Sequence, residues 1–354
     1  EMCIRDRHYY YYYYYYYSRH TSRWDYEYTG GDHSGGLTNL ADKRVAVIGT
    51  GATTIQAVPF VGKHAKELFV FQRTPSSVDE RGNKPTDKEW AKTLKPGWQR
   101  ERRENFNDMV IGRPVKEDMV KDGWTEIFRK LASMVPRDPA KKVTPEQAAE
   151  MAELADFQKM NGIRDRVDSL VSEEDTAEAL KPWYRQFCKR PCFHDDYLPS
   201  FNRPNTHLVD TDGKGVQQIT EKGVVVDGTE YELDCLIFAT GFEVGTAYTR
   251  RAGYDVLGKA GQMLSDKWDE GLRTLHGFQT NGFLNCFFMG VTQGGFTANF
   301  PHMLNEQSLH IAYMVNQCMS SNANCVEASV EGEDAWVETI KQLAVFNKSF
   351  LESC

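Results

Sequence analysis

The stretch that most restricts the fold runs from Lys43 to Phe71. Val45-Ala46-Val47-Ile48 is a short unbroken apolar run, the pattern of a parallel strand buried on both faces. Gly49 and Gly51 follow at once, then a helix-like stretch from Ala52 to Ala65, then a second strand, Glu67-Leu68-Phe69-Val70-Phe71. Strand, glycine turn, helix and strand within about thirty residues make a βαβ unit. Pro59 falls inside the helical stretch and is expected to kink it or mark a turn. Gly49-Thr50-Gly51-Ala52-Thr53-Thr54 fits the dinucleotide-binding pattern G-x-G-x-x-G/A in its two glycines, with Thr54 where the third small residue belongs. The first glycine makes the tight turn, and the second lets the backbone approach a pyrophosphate at the positive end of the helix. Gly49, Thr50, Gly51, Ala52 and Thr53 are therefore the predicted pyrophosphate cradle, with helix–strand packing at Thr54 looser or differently solved.

The residue after the second strand selects the nucleotide. NAD sites end that strand with Asp or Glu, which accept hydrogen bonds from the ribose. Here it ends Phe71-Gln72-Arg73-Thr74. A guanidinium cannot accept such a bond but pairs well with a 2′-phosphate, so Arg73, with Thr74 beside it, favours NADPH.

The 354 residues carry a net charge of −8, which argues against nucleic acid or an anionic membrane as the main partner. No apolar run reaches the ~20 residues of a membrane span. Eight cysteines at spacings that fit no zinc pattern read as reduced thiols of a cytoplasmic protein. Tyr9 to Tyr17 is a run of nine tyrosines. It has no packing logic, since one side of any element must meet water. Residues 1–17 are therefore expected to be non-native or disordered.

Residues 18–42 read as a loop-rich linker. From Val78 onward the chain is rich in Lys, Arg, Glu and Ala, and Phe157, Met160, Ile163, Val167 and Leu170 recur at helical spacing. Strand patterns return at Thr206 to Val209, Gly223 to Val226, Leu233 to Ala239 and Cys286 to Val291, and Phe300 to Cys318 reads as a helix.

Several segments together resemble the Baeyer–Villiger monooxygenases, a family of flavoproteins with two dinucleotide sites. His20-Thr21-Ser22-Arg23-Trp24-Asp25 matches the second half of the family fingerprint F-x-G-x-x-x-H-x-x-x-W-P/D. The Phe and Gly of that fingerprint would fall at Tyr14 and Tyr16, inside the tyrosine run. Cys188-Lys189-Arg190-Pro191 resembles the family's Lys-Arg-Pro segment. Ala239-Thr240-Gly241 resembles the strand end that returns from the NADPH domain to the FAD domain. Gly258 to Gly271 with Trp268, Gly294-Gly295-Phe296-Thr297 and Asn299-Phe300-Pro301 resemble later segments.

The resemblance implies roles residue by residue. Arg190 is a fixed cation over the flavin, which stabilises negative charge and cannot act as a base. His20, Trp24 and Asp25 belong to the loop tied to domain motion during turnover. Lys189, Ala239, Thr240 and Gly241 contact cofactor. The implied architecture is α/β: an NADPH-binding Rossmann-like domain (43–77 and 186–240), a helical insertion (78–185) and the C-terminal part of an incomplete FAD domain (241–354). The implied reaction is NADPH- and FAD-dependent insertion of one atom of O2 beside a ketone carbonyl, giving an ester or lactone, in a monomer or weak oligomer. Oxygenation at nitrogen or sulfur is the alternative within this chemistry. Cys188 and Cys192 are the close pair that a flavin disulfide reductase would need. The family's own FAD-binding G-x-G-x-x-G does not occur in these residues, so the chain by itself is expected to be an NADPH-binding fragment without turnover.

Overall fold

The structure is a computed structural model that describes residues 16–134, 144–242, 245–293, 297–343, 352 and 354. Its strands are β1 (Tyr17–His20), β2 (Arg44–Ile48), β3 (Glu67–Gln72), β4 (Val78–Asp79), β5 (Cys192–Phe193), β6 (Thr206–Asp210), β7 (Gln218–Ile219), β8 (Gly223–Val226), β9 (Thr229–Glu232) and β10 (Cys235–Phe238). Its helices are α1 (Tyr26–Thr29), α2 (Ala52–His64), α3 (Lys88–Thr93), α4 (Trp98–Val110), α5 (Gly123–Met134), α6 (Pro145–Leu170), α7 (Glu174–Leu180), α8 (Tyr197–Ser200), α9 (Tyr248–Ala252), α10 (Leu264–Lys267), α11 (Phe300–Ser320) and α12 (Val330–Leu343).

The described residues fall into two compact units, one within 1–85, 135–241 and 350–354, the other within 86–134 and 242–349. The first is built on a five-stranded parallel sheet in the order β1-β10-β2-β3-β6. Val45, Ala46 and Val47 are fully buried because both faces of the sheet are covered. Val45 and Val47 pack with Ile55, Val58 and Val61 of α2 on one face. Ala46, Phe71 and Leu236 pack with Val224 and Val226 of the antiparallel sheet β7-β8-β9 on the other. The order places β10 on one side of β2 and β3 on the other, and the crevice beyond the carboxyl ends of β2 and β10 is the topological switch point where ligands of such sheets bind.

Several expectations are corrected. Tyr16 and Tyr17 are built into the fold, while Glu1–Tyr15, including Tyr14, lie outside the described residues. Tyr17 pairs with Cys235 and stacks on Tyr28 at 4.0 Å. Tyr16 is buried against the opposite face, its hydroxyl donating to the Thr220 carbonyl at 3.3 Å. Strand alternation sends the two rings to opposite faces, each with a partner. Residues 18–42 accordingly hold most of β1 and all of α1. Pro59 lies inside α2 rather than at a turn, and the buried face of Ile55, Val58 and Val61 offsets the lost hydrogen bond.

The helical segment 78–185 is not one body: α3, α4 and α5 cluster with residues 242–349, whereas α6 and α7 belong with the sheet. In α6, Met160, Ile163 and Val167 are buried at the expected spacing and Phe157 is exposed. Cys286 to Val291 is not a strand. There the Gln307 side chain meets Gly290, accepting from its N–H and donating to its carbonyl at 3.0 Å each, as a neighbouring strand would. Cys188 is bonded to Cys354 across a Cα separation of 5.1 Å, so the reading of reduced thiols fails for this pair and Cys192 stays free. In the second unit Trp268 packs on Phe288, and the buried Glu333 is held by Lys267 at 3.0 Å and by the Asn281 N–H at 2.7 Å. Gly294, Gly295 and Phe296 lie outside the described residues.

Candidate dinucleotide site

Gly49 turns the chain out of β2 with φ +107°, and a Cβ there would lie 2.7 Å from the Ala239 carbonyl oxygen. Glycine is required because β10 ends against this turn, where the Ala239 N–H donates to Ile48. Thr50 is buried and ties the turn to the end of β3: its hydroxyl donates to the Thr74 carbonyl at 2.7 Å, and Ser76 donates to the Thr50 carbonyl at 2.6 Å. Gly51 caps α2 without a side-chain hydrogen bond, and nothing lies within 4 Å of where its Cβ would be. The first intrahelical bond in this turn is Ile55 N–H to Gly51, so the amides of Ala52, Thr53 and Thr54 point out of an open helix N-terminus. Such an end receives an anion from its amides and dipole together.

Thr54 resolves the missing third glycine by complete burial, and its hydroxyl has no partner among the described residues. Thr54→Val keeps the shape and removes an unsatisfied polar group, so it is expected to raise stability by about 1 kcal/mol in urea unfolding.

Beyond β3, Gln72 turns inward and donates to Asp210 and to the Ala179 carbonyl, leaving Arg73 exposed. Lys189 stands near enough to feel it. Burial lowers the Lys189 pKa below the ordinary lysine value, and the Arg73 charge lowers it further. Among the described residues neither cation forms an ion pair within 4 Å. Tyr184 fixes the segment that carries Lys189: its hydroxyl donates to the Pro75 carbonyl at 2.9 Å and accepts from the Ser77 N–H at 3.0 Å, and burial pushes its pKa up to about 12. Sequence reasoning missed Tyr184, although it stands five residues before Lys189. Arg190 is exposed on the link between this segment and β5, its carbonyl accepting from Cys192.

His20 ends β1 at the same edge of the sheet. The Ser22 N–H donates to His20 Nδ1 at 3.2 Å, so Nε2 carries the proton toward the Gly241 carbonyl, also at 3.2 Å. This contact joins His20 to the strand end Ala239-Thr240-Gly241. Trp24 and Asp25 are placed elsewhere. Trp24 packs on the core and donates to Thr29 at 3.1 Å, and Asp25 caps α1 and accepts from the Tyr17 hydroxyl. Both hold the loop together, and Trp24 also lines a small pocket with Thr53 of the cradle.

A parallel sheet, a glycine cradle at its switch point and a cation pair beyond the next strand define a dinucleotide-binding protein of the Rossmann type. No protein-family model matches the chain. It is 53% identical over 339 residues to neopentalenolactone D synthase of Streptomyces avermitilis, covering 95% of this chain and 57% of that protein. It is 49% identical over 337 residues to Baeyer-Villiger monooxygenase ATR8 of Stachybotrys chlorohalonatus, covering 95% and 54%. Among solved structures, the polycyclic ketone monooxygenase of Thermothelomyces thermophila superposes with a TM-score of 0.81 at 43% identity, covering 90% and 53%. OTEMO in complex with FAD and NADP superposes at 0.68 and 27% identity, covering 93% and 61%. Over the region it spans, the chain belongs to the Baeyer–Villiger monooxygenase family. It spans just over half the length of these curated relatives. No helix among the described residues is long and apolar enough to cross a membrane.

Proposed function

We propose that this chain carries the NADPH-binding part of a flavin-dependent monooxygenase that inserts one oxygen atom of O2 beside a ketone carbonyl, giving an ester or lactone. The observation that carries the reading is the pair Arg73 and Lys189, two neighbouring cations beside an open helix N-terminus. A 2′-phosphorylated dinucleotide fits both features at once. Its pyrophosphate meets the amides of Ala52 to Thr54, where Gly51 leaves room for it, and its 2′-phosphate meets the cations. Relatives solved with FAD and NADP support both cofactors. FAD, when bound, supplies the chemistry that activates O2. Arg190 would supply that chemistry with a permanent positive charge, since a guanidinium keeps its proton and cannot act as a base. His20 holds the Ala239–Gly241 strand end, and Thr240 is exposed there for contact with cofactor. The reading carries a ketone and O2 as small-molecule partners, no nucleic acid, a monomeric or weakly oligomeric chain and a cytoplasmic setting.

Calorimetry of the purified chain tests it, with NADPH expected to bind at least tenfold tighter than NADH. Equal affinity for the two overturns the assignment. The 354-residue chain alone is expected to bind NADPH without turnover, because its one dinucleotide motif is committed at Gly49. A stoichiometric flavin absorbance with ketone-dependent NADPH oxidation overturns that part. Where turnover is obtained, a cyclic ketone and a thioether separate lactone formation from sulfur oxygenation.

The pH dependence follows from Lys189. Its pKa is lowered in the free protein, and a phosphate dianion raises it again, so binding takes up a proton as pH approaches the lowered value. Affinity for 2′,5′-ADP is expected to be flat above the phosphate ionisation near pH ~6 and to fall as pH rises through the lowered Lys189 pKa. Lys189→Arg, always charged, removes the upper decline.

A further inference from the structure

Lys189 borders a cavity of about 750 Å³ beyond the ends of β3 and β6, lined in part by Thr74, which follows Arg73, and by Asp210, Asp212 and Trp183. Trp183 is unusual among them. The residue is 68% exposed, a costly position for an indole. Yet it is held in one orientation. The Arg164 guanidinium covers one face at 4.3 Å from the ring centroid. Arg164 is itself fixed by donating to the Pro182 carbonyl at 2.9 Å and to Asn161. The next residue, Tyr184, is pinned at both its hydroxyl bonds, so the backbone that carries the indole is fixed too. Glu178 of α7, paired with Lys181 at 2.8 Å, lines the same cavity. An exposed, preorganised aromatic plane on the wall of a cavity of small-molecule size suits a flat heteroaromatic ligand.

We propose that Trp183 is the stacking platform for the adenine base of the dinucleotide whose 2′-phosphate rests on Arg73 and Lys189, and that it sets preference for an adenine-bearing cofactor. This rests on the NADPH reading above. The base and the 2′-phosphate hang on the same ribose, so a ligand anchored by the phosphate at Lys189 brings its base to the wall that Lys189 shares with Trp183. The Arg164 guanidinium stiffens the platform from behind and is not itself a ligand. Asp210, held by Gln72, lies on the same wall as an acceptor for the exocyclic amine of adenine.

The test titrates the whole chain with 2′,5′-ADP by calorimetry and by indole fluorescence, with inorganic pyrophosphate as the base-free probe. Trp183→Ala is expected to weaken 2′,5′-ADP about 20-fold and leave pyrophosphate unchanged, while Trp183→Phe stays within about threefold of the parent. Fluorescence quenching by 2′,5′-ADP is expected in the parent and lost in Trp183→Phe. Because Trp183 is mostly exposed, the alanine variant is expected to fold, and circular dichroism checks this. If Trp183→Ala binds 2′,5′-ADP as well as the parent while Arg73→Ala does not, the platform is wrong and the NADPH reading stands. If the parent chain fails to bind 2′,5′-ADP, the NADPH reading falls and takes the platform with it.

Discussion

Arg73→Ala is expected to weaken NADPH binding about 30-fold while changing NADH binding less than threefold. The argument is one of charge and place. The 2′-phosphate carries nearly two negative charges at neutral pH and pairs with a guanidinium through two parallel hydrogen bonds, each stronger than a neutral one. Arg73 follows β3 directly, where the buried Gln72 anchors the chain to Asp210 and Ala179, so the guanidinium is presented from a fixed base. A factor of 30 corresponds to about 2 kcal/mol, the loss expected when one charged hydrogen-bonding partner of a half-exposed anion is removed. Lys189→Ala is expected to cost about 10-fold, since a flexible ammonium gives a point charge without the planar fork. The two share one phosphate and repel each other when it is absent, so the double variant should lose less than the product of the two factors. Calorimetry with NADPH, NADH and 2′,5′-ADP measures all three. Arg73→Ala that weakens NADH and NADPH alike would move the site of the 2′-phosphate elsewhere.

The βαβ unit was legible because periodicity and glycine placement say the same thing twice: the expected strands at Val45–Ile48 and Glu67–Phe71 differ from those observed by one residue at one end each. The place of Arg73, exposed directly after β3, was legible from the strand's end, and its pairing with a 2′-phosphate is the proposal made above. What escaped was set by partners distant in sequence. Tyr17-Ser18-Arg19-His20 has no strand-like apolar run, and becomes β1 because β10, more than two hundred residues later, offers an edge to pair with. Helical spacing announced the segment 78–185, but spacing names no neighbour, so its division between two units was invisible. Trp24 and Asp25 were legible as a motif and not as a role: the same H-x-x-x-W-D spacing that marks the family is, for these two residues, a packing and capping arrangement. Cys188 was weighed against the cysteine four residues away, while its partner Cys354 lies 166 residues on.

Gly49→Ala and Gly51→Ala separate the two duties of the cradle, and the first is expected to have the largest effect on stability of any single change at the site. Gly49 sits at φ +107°, outside the region an alanine adopts without strain, and its new Cβ would stand 2.7 Å from the Ala239 carbonyl oxygen. Backbone cannot give way there, because Gly49 N–H donates to Phe71 on one side and Ala239 N–H donates to Ile48 on the other, so relief would have to open the β2–β10 ladder. Strain of this kind costs about 1–3 kcal/mol, and the contact adds to it, so Gly49→Ala is expected to lose about 3 kcal/mol in urea unfolding. Gly51 differs on both counts. Its φ is −77°, and nothing lies within 4 Å of its Cβ position. Gly51→Ala should therefore fold within about 1 kcal/mol of the parent, yet bind NADPH at least tenfold more weakly, because the methyl group takes space the pyrophosphate needs to reach the helix amides. Urea midpoints and NADPH titrations on the two variants decide the matter. If Gly51→Ala binds NADPH unchanged, the pyrophosphate does not rest on this helix end, and the open N-terminus of α2 has another use.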